Sequence, residues 1–239
     1  MASDTSVHQR RRPLSEAELN AIPWIHLLAP PERERAVDDL RIADVSPGDY
    51  VCRTGRPVTY WFGVVEGLLK MSSDNAEGQT MTFTGVPPGG WFGEGTALKR
   101  ESYRYNIQAL RTSMVAGLHV DTFHWLLDHS IGFNRFVMNQ LNERLGQFIA
   151  AREIDRMTNP DIRVARSLAA LFNPVLYPGV GEVLRITQQE LAYLVGLSRQ
   201  RVNEALTALA EQGSIRVEYG GLRVLNLEAL RSSVFATTR

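Results

Sequence analysis

Hydrophobic residues in the C-terminal third of the chain recur at helical spacing in two successive segments. Thr187 is suited to cap the first segment, and Glu190, three residues on, completes a capping box. Gly196 ends this first segment, because glycine adopts the left-handed backbone of a helix C-terminus at little cost. Ser198 caps the second segment, which Gly213 ends. The pattern therefore predicts two short helices joined by a tight turn.

A second periodicity follows these two helices. Apolar residues at 215, 217 and 219 alternate with polar ones, which is the spacing of a half-buried strand. Gly220-Gly221 is expected to form a two-residue hairpin turn, and residues 222–225 to return as the second strand. Two helices, a tight turn and a two-stranded wing make up a winged helix-turn-helix.

Polar side chains crowd the start of the second predicted helix, the part that enters the major groove in DNA-binding units of this kind. Arginine can bind guanine, glutamine or asparagine can bind adenine, and glutamate can accept from cytosine. An ordinary solvated helix surface is the alternative, but caps, turn, wing and residue types all agree with DNA binding. The predicted DNA contacts are Thr187, Gln188, Ser198, Arg199, Gln200, Arg201, Asn203 and Glu204.

This block resembles the DNA-binding domain of the Crp-Fnr family of bacterial transcription regulators. The match includes Ser198-Arg199 and, after two further polar residues, Val202. The resemblance implies that Arg199 reads a guanine and that Gln200 and Glu204 occupy the other base-reading positions. Members of the family often carry Glu and Arg at those two positions, so the operator sequence stays open. The partner implied is double-stranded DNA with a pseudo-palindromic operator, and RNA polymerase is a further possible partner.

Short β-branched and aromatic runs separated by turn residues fill residues 41–118, which predicts a β-sandwich or β-roll. The segments 46–55 and 61–71 resemble the first half of the family's cyclic-nucleotide-binding β-roll. The fold class expected is α+β, with an N-terminal double-stranded β-helix (jelly roll) as sensor. The expected divisions are a flexible tail at 1–13, the β-roll at 14–130, a dimerisation helix at 131–158 and the winged helix-turn-helix at 159–239.

A long helix is predicted from Ile131 to about Met157, with one apolar stripe that includes Phe133, Leu145 and Phe148. A helix of this length needs a partner for its stripe. In the family the equivalent helix pairs with its copy in a second chain, which implies a homodimer with a parallel coiled coil. The alternative is that the stripe packs only on the chain's own β-roll.

The segment 89–109 resembles the family's phosphate-binding cassette, with Glu94 and, ten residues later, Arg104. In cyclic-AMP-binding members of the family the Glu holds the ribose hydroxyl and the Arg holds the phosphate. The resemblance implies that Glu94 and Arg104 could take these two roles. The alternative is that Glu94 and Arg104 form a structural ion pair in a roll that has lost its nucleotide. Predicted effector-binding residues are Trp91, Phe92, Gly93, Glu94, Gly95, Thr96, Arg104, Tyr105 and Phe148.

Two departures from the family pattern argue against cyclic AMP. Tyr105 stands where the family usually has a small hydroxyl residue beside the Arg. Phe148, Ile149 and Ala150 lie where cyclic-AMP members offer hydroxyls to the adenine, and an unsatisfied polar group costs about 1–3 kcal/mol. We therefore expect an effector other than cyclic AMP, aromatic or acyl in character, or none. A cyclic-nucleotide-responsive regulator remains the alternative.

Cofactor and enzyme chemistry find little support in the residue types. The single cysteine, Cys52, excludes the four-cysteine iron–sulfur cluster of the oxygen-sensing branch. His119, His124 and His129 are five apart, which spreads them around a helix, so haem is not expected. A cupin-type metalloenzyme would need a His-x-His pair, which the sequence lacks. A β-roll ligand protein without DNA function is disfavoured by the winged motif.

Charge and hydropathy agree with a DNA-binding protein that depends on individually placed cations. The formal net charge is zero, and residues 160–239 carry nine Lys/Arg against seven Asp/Glu. No apolar run is long enough to span a bilayer, and no apolar stretch follows the three arginines at 10–12. A cytoplasmic protein without enzymatic activity is expected.

Overall fold

The computed structural model of this 239-residue chain describes residues 11–75 and 77–232. The helices are α1 (Glu16–Asn20), α2 (Pro30–Asp39), α3 (Glu94–Lys99), α4 (Val120–His129), α5 (Ile131–Asp155), α6 (Pro160–Ala170), α7 (Gln188–Val195), α8 (Arg199–Glu211) and α9 (Leu227–Ser232). The strands are β1 (Arg11–Arg12), β2 (Arg41–Val45), β3 (Tyr50–Cys52), β4 (Tyr60–Glu66), β5 (Leu69–Asp74), β6 (Thr80–Val86), β7 (Trp91–Phe92), β8 (Asn106–Ala109), β9 (Ser113–His119), β10 (Val183–Leu184), β11 (Ile215–Glu218) and β12 (Gly221–Val224).

Two antiparallel sheets form the sensor domain. One has the order β1-β2-β9-β4-β7 and the other β3-β8-β5-β6, so neighbours in space are often distant in sequence. Three tryptophans, Trp24, Trp61 and Trp91, pack together in the core with ring centroids 4.4 to 5.6 Å apart. The predicted β-roll is confirmed. A turn in which the Asp49 N–H donates to the Ser46 carbonyl separates β2 from β3.

Part of the predicted flexible tail is ordered. Residues 1–10 lie outside the described residues, but Arg11 and Arg12 pair with Ala43 and Ile42 of β2. The guanidinium of Arg12 binds the carboxylate of Glu18, with Nη2 and Oε1 2.5 Å apart. Strand pairing and this ion pair hold residues 11 and 12 to the sensor domain, so the predicted tail boundary at residue 13 is wrong.

The long helix α5 has two apolar faces where the sequence suggested one stripe. Phe133 and Val137 are buried against the sensor core. On a different side of the helix, Met138, Leu145 and Ile149 are each more than half exposed, at 63, 61 and 58 per cent. The inner face is satisfied by this chain, whereas the outer face is an apolar surface without a cover among the described residues.

The C-terminal domain is the predicted winged helix-turn-helix. Thr187 accepts from the Glu190 N–H and Ser198 from the Arg201 N–H, as the two predicted caps require. The three-stranded sheet β10-β12-β11 forms the wing. The turn of the hairpin lies at Tyr219-Gly220, one residue earlier than predicted, because Gly220 has the left-handed backbone (φ 73°) and Gly221 already pairs with Glu218.

The DNA-binding domain packs directly on the sensor domain. Leu68 of the sensor belongs to the hydrophobic core of the DNA-binding domain, and the partly buried Leu110 packs against that core. An ion pair, Arg111 Nε to Glu190 Oε1 at 2.8 Å, joins the β8–β9 loop to the capping box of α7. None of the helices in residues 11–75 and 77–232 is both long and apolar enough to cross a membrane.

Candidate nucleic-acid interface and sensor site

The N-terminal turn of α8 projects its predicted base-reading side chains into solvent. Ser198, Arg199, Gln200, Asn203 and Glu204 are all exposed, while Val202, Ala205 and Leu206 anchor the helix in the core beneath them. The helix is short, capped and packed on α6 and α7, so its exposed face is held rigidly. This geometry fits insertion into a major groove, where the start of the second helix carries the base contacts.

Arg199 is the cation best placed to read a base. It follows the N-cap directly, and within the described ranges its guanidinium forms no hydrogen bond or ion pair. A guanidinium that is not engaged within the protein keeps both of its parallel N–H groups available for guanine O6 and N7.

Arg201, predicted to contact DNA, is engaged within the protein instead. Its Nη2 lies 2.5 Å from Asp161 Oδ1 at the start of α6, and its Nη1 lies 3.3 Å from Glu204 Oε2. Because Asp161 belongs to a neighbouring helix, this ion pair fixes the position of α8. We therefore assign Arg201 a positioning role, which the sequence pattern of exposed polar residues does not reveal.

The other predicted contacts are linked in pairs on the exposed face. Gln188 Nε2 donates to Asn203 Oδ1 at 2.7 Å, and Gln200 Nε2 donates to Glu204 Oε1 at 3.2 Å. Thr187 is exposed at the N-terminus of α7, where its hydroxyl serves as the cap. These bonds pre-orient the amides, and each can be exchanged for a bond to a base.

Glu94 lies at the start of α3 and is almost fully buried, with 3 per cent exposure. Its partner is Arg144 of α5, whose Nε donates to Glu94 Oε1 at 3.2 Å. The sequence predicted a ribose hydroxyl or Arg104 as the partner of Glu94, and not Arg144. The carboxylate expected to hold a ribose hydroxyl is therefore already bound by an arginine of the same chain.

Arg104 does not take part in this site. Its side chain is 74 per cent exposed and pairs with Glu101 at 3.1 Å on the surface. The alternative expectation, a Glu94–Arg104 ion pair, is wrong, because Arg144 reaches Glu94 from α5 and takes the place of that partner. The role of Arg104 as a phosphate ligand stays a prediction.

The predicted aromatic effector contacts, three in the cassette and Phe148 on α5, have mainly structural roles. Trp91 and Phe92 were predicted to contact an effector, but both are buried in the sensor core. Tyr105 is half-buried near Glu94 and Thr96, and burial, followed by the charge of Glu94, raises the pKa of its hydroxyl. Phe148 packs edge-to-face on Phe83 of β6, with ring centroids 6.3 Å apart. Tyr105 thus remains beside Glu94, while Phe148 contacts the sheet.

The backbone of the cassette turns at Gly93 and then enters the short helix α3. Gly93 caps α3 with a left-handed backbone (φ 86°), and a side chain at this position would meet the rings of Tyr103 and Tyr105 at 3.4 and 3.6 Å. Gly95 follows within α3, and Thr96 is buried. Tyrosine rings thus border the approach to this turn.

The three histidines each have a separate structural role. His119 caps α4 by accepting from the Asp121 N–H, His124 Nε2 lies 2.9 Å from the Ala97 carbonyl, and His129 stacks on Trp125 at 4.3 Å. In the part of the chain that the structure describes, no three His, Cys, Asp or Glu side chains are grouped so that they could hold a metal ion.

A cleft of about 970 Å³ lies between the sensor sheet, the long helix and the DNA-binding domain. Its walls come from β6, α5, α6 and α7, with Phe83, Ala150, Ile154 and Leu194 among the apolar lining residues. None of the nine predicted effector-binding residues lines this cleft. The volume is within the range of small-molecule sites, and this cleft lies between the domains and outside the cassette.

Two known protein families match two separate regions of the chain. Residues 43–130 match the family described as cyclic nucleotide-binding domain, and residues 162–233 match the Crp-like helix-turn-helix domain. The first matched region coincides with the β-roll and the second with the winged helix-turn-helix.

Two known proteins with similar sequences are a transcriptional regulator and a cyclic AMP receptor protein. The transcriptional regulator SdrP of Thermus thermophilus is 30% identical over 174 residues, which cover 71% of this chain and 81% of SdrP. The cyclic AMP receptor protein of the same organism is 26% identical over 213 residues, covering 89% of this chain and 97% of that protein. Among solved structures, FixK2 from Bradyrhizobium japonicum has a TM-score of 0.65 at 16% identity, covering 80% of this chain and 95% of FixK2, which shows a shared fold.

Proposed function

Because this chain belongs to the Crp-Fnr family of DNA-binding transcription regulators, we propose that it binds a pseudo-palindromic operator as a homodimer and does so without cyclic AMP. The observation that carries the proposal is the geometry of the recognition helix α8. The N-caps of α7 and α8 are both formed, and Arg199, at the exposed start of α8, makes no hydrogen bond or ion pair with the described residues. A winged helix-turn-helix held on a rigid sensor is suited to binding and not to catalysis. RNA polymerase is the partner we propose once the protein is on its operator.

Support for a homodimer comes from the outer face of α5. Met138, Leu145 and Ile149 are spaced by seven and four residues and lie on one side of the helix, each more than half exposed. Exposed apolar residues at this spacing form the seam of a two-stranded coiled coil. Two recognition helices related by a twofold axis would read two half-sites about one helical turn of DNA apart.

Support for independence from cyclic AMP comes from the cassette. Arg144 occupies the Glu94 carboxylate, Arg104 points to solvent and Tyr105 stands beside the cassette turn. In this conformation a cyclic nucleotide would compete with Arg144 for the Glu94 carboxylate, and Arg104 is paired with Glu101 on the surface. Each lost directed contact weakens binding by about 1–2 kcal/mol, so affinity would fall by roughly a hundredfold or more.

We expect titration calorimetry of the purified chain with cyclic AMP to show no binding at micromolar concentrations. The cyclic AMP receptor protein of Thermus thermophilus, titrated under the same conditions, is the positive control. Micromolar affinity coupled to tighter operator binding would contradict the proposal and restore the cyclic-nucleotide-responsive alternative.

Selection of duplexes from a random-sequence library with the purified chain tests the function itself. The expected product is a family of sequences with two inverted half-sites whose centres are about ten base pairs apart or a multiple of that spacing. Enrichment of single half-sites would contradict the homodimer, and failure to enrich any sequence would contradict operator recognition.

A further inference from the structure

A loop of the DNA-binding domain is built into the core of the sensor domain. This loop, residues 173–181, lies between α6 and β10. Leu176 and Tyr177 are 0 and 1 per cent exposed and belong to the sensor core. The backbones also meet, because a Cβ on Gly89 would lie 2.4 Å from the Gly179 nitrogen. The two domains therefore share one core at this point.

Polar contacts fasten the same loop along α5. Gln140 Nε2 donates to the Val175 carbonyl at 2.7 Å, and Asn173 Nδ2 donates to Glu143 Oε2 at 3.1 Å. Tyr177, at the buried end of the loop, places its hydroxyl 3.0 Å from Gln147 Nε2. Three turns of α5 thus each hold a residue of the loop, which fastens the loop to the helix.

Arg144 joins this loop to the cassette. Its guanidinium donates to Glu94 Oε1 at 3.2 Å, to the Trp91 carbonyl at 2.6 Å and to the Tyr177 hydroxyl at 3.3 Å. Only 7 per cent of Arg144 is exposed. We call Arg144, Glu94, Tyr177 and Gln147 the interdomain network. It connects the cassette, the long helix and the DNA-binding domain through one buried cation.

Electrostatics make the interdomain network hard to open. Burial alone disfavours the charged form of Arg144 and lowers its pKa, but the Glu94 carboxylate and the Tyr177 oxygen outweigh burial and raise it. If Arg144 withdrew, Glu94 would be left without its cation in a nearly closed site. Removing one partner of a buried pair is strongly destabilising for that reason.

We infer that Arg144 couples the cassette to the DNA-binding domain: through Glu94 and Tyr177 it keeps that domain docked on the sensor, and operator binding depends on this docking. The inference rests on the proposed function. The docked arrangement leaves the base-reading side chains of α8 exposed, so docking does not block them. A domain held in place avoids the entropy of ordering it on the operator, and loss of the interdomain network therefore weakens operator binding.

Tyr177→Phe is the sharpest test because it removes one hydroxyl and keeps the buried ring. Tyr193→Phe is the matched control, since Tyr193 lies in the same domain and is 54 per cent exposed. Hydrogen exchange is measured on the amides of residues 175–177 and of the sensor strand β9. We expect Tyr177→Phe to accelerate exchange in the loop about tenfold and to leave β9 unchanged, and Tyr193→Phe to change neither. Unchanged loop exchange in Tyr177→Phe would overturn the inference.

Operator affinity is the second measurement, made by fluorescence anisotropy with a duplex selected by the wild-type chain. The Tyr177→Phe variant is expected to bind about tenfold more weakly than wild type, with or without cyclic AMP. Arg144→Met combined with Glu94→Gln, which avoids leaving an unpaired buried charge, should show the same loss. Tighter binding by Tyr177→Phe would mean that the docked orientation is inhibitory and would overturn the inference. A wild-type chain that binds no duplex contradicts the proposed function alone, because the exchange measurement needs no DNA.

Discussion

Specific operator binding is expected to disappear in Arg199→Ala, while the dimer and the fold remain intact. Arg199 is the exposed residue directly after the N-cap of α8, and no described residue engages its guanidinium. A bidentate arginine–guanine contact is worth about 1–3 kcal/mol. Two symmetry-related half-sites would double that loss, to roughly 2–6 kcal/mol, because well-separated positions contribute almost additively. Anisotropy with the selected duplex and with a scrambled duplex measures the loss of specificity directly.

Two further variants separate base reading from general charge. Arg199→Lys keeps the positive charge but loses the planar fork, so it should retain non-specific binding and lose discrimination at the guanine. Arg231→Ala removes one charge from the same domain, at a residue paired with Glu228 and away from α8, and should leave specificity unchanged. Unchanged specific binding by Arg199→Ala would remove this residue from the reading role.

Leu145→Glu is expected to convert the dimer to monomers. Leu145 is 61 per cent exposed in the single chain and lies between Met138 and Ile149 on the outer face of α5. In a parallel pair of helices, two introduced carboxylates would face each other in an apolar seam. Burying an unpaired polar group costs about 1–3 kcal/mol even before charge repulsion, so the dimer dissociation constant should rise by roughly two orders of magnitude or more. Analytical ultracentrifugation across micromolar concentrations measures this change.

Asn139→Glu provides the matched control for dimerisation. Asn139 is exposed on the same helix but lies about 100° away from the centre of the outer apolar face. The control should remain dimeric, because its carboxylate stays in water. A Leu145→Glu variant that remains fully dimeric would show that the two chains meet through another surface. Because Leu145 is exposed in the single chain, its substitution tests association more directly than it tests folding.

The helix boundaries of the DNA-binding domain could be predicted from sequence because their causes are local. Thr187, Glu190 and Ser198 satisfy backbone groups within three residues of themselves, and apolar spacing over one or two turns selects the buried face. The β-roll was predictable as a class for a related reason, since short strands and turns leave a local pattern. Exact pairing was not predictable, because β2 pairs with β9 across about seventy residues of intervening chain.

The assignments within the functional sites failed where side chains have several candidate partners. The family resemblance suggested Arg104 as the cation of the cassette, yet Arg144, fifty residues from Glu94 in sequence, binds that carboxylate. Arg201, like Arg199, is an arginine in the first turn of α8, and the sequence pattern predicts that both are exposed. Only the packing of α6 against α8 brings Asp161 to it and separates the two roles.

The sequence by itself determined the two domains, the capped recognition helix and the long helix between them, since each depends on contacts within a few residues. The tertiary structure alone decided how these parts are joined. Leu176 and Tyr177 carry no local signal for burial in another domain, and Arg144 carries none for the cassette. Their positions follow from a shared core and a buried charge, and the free energy of each depends on groups that only folding brings together.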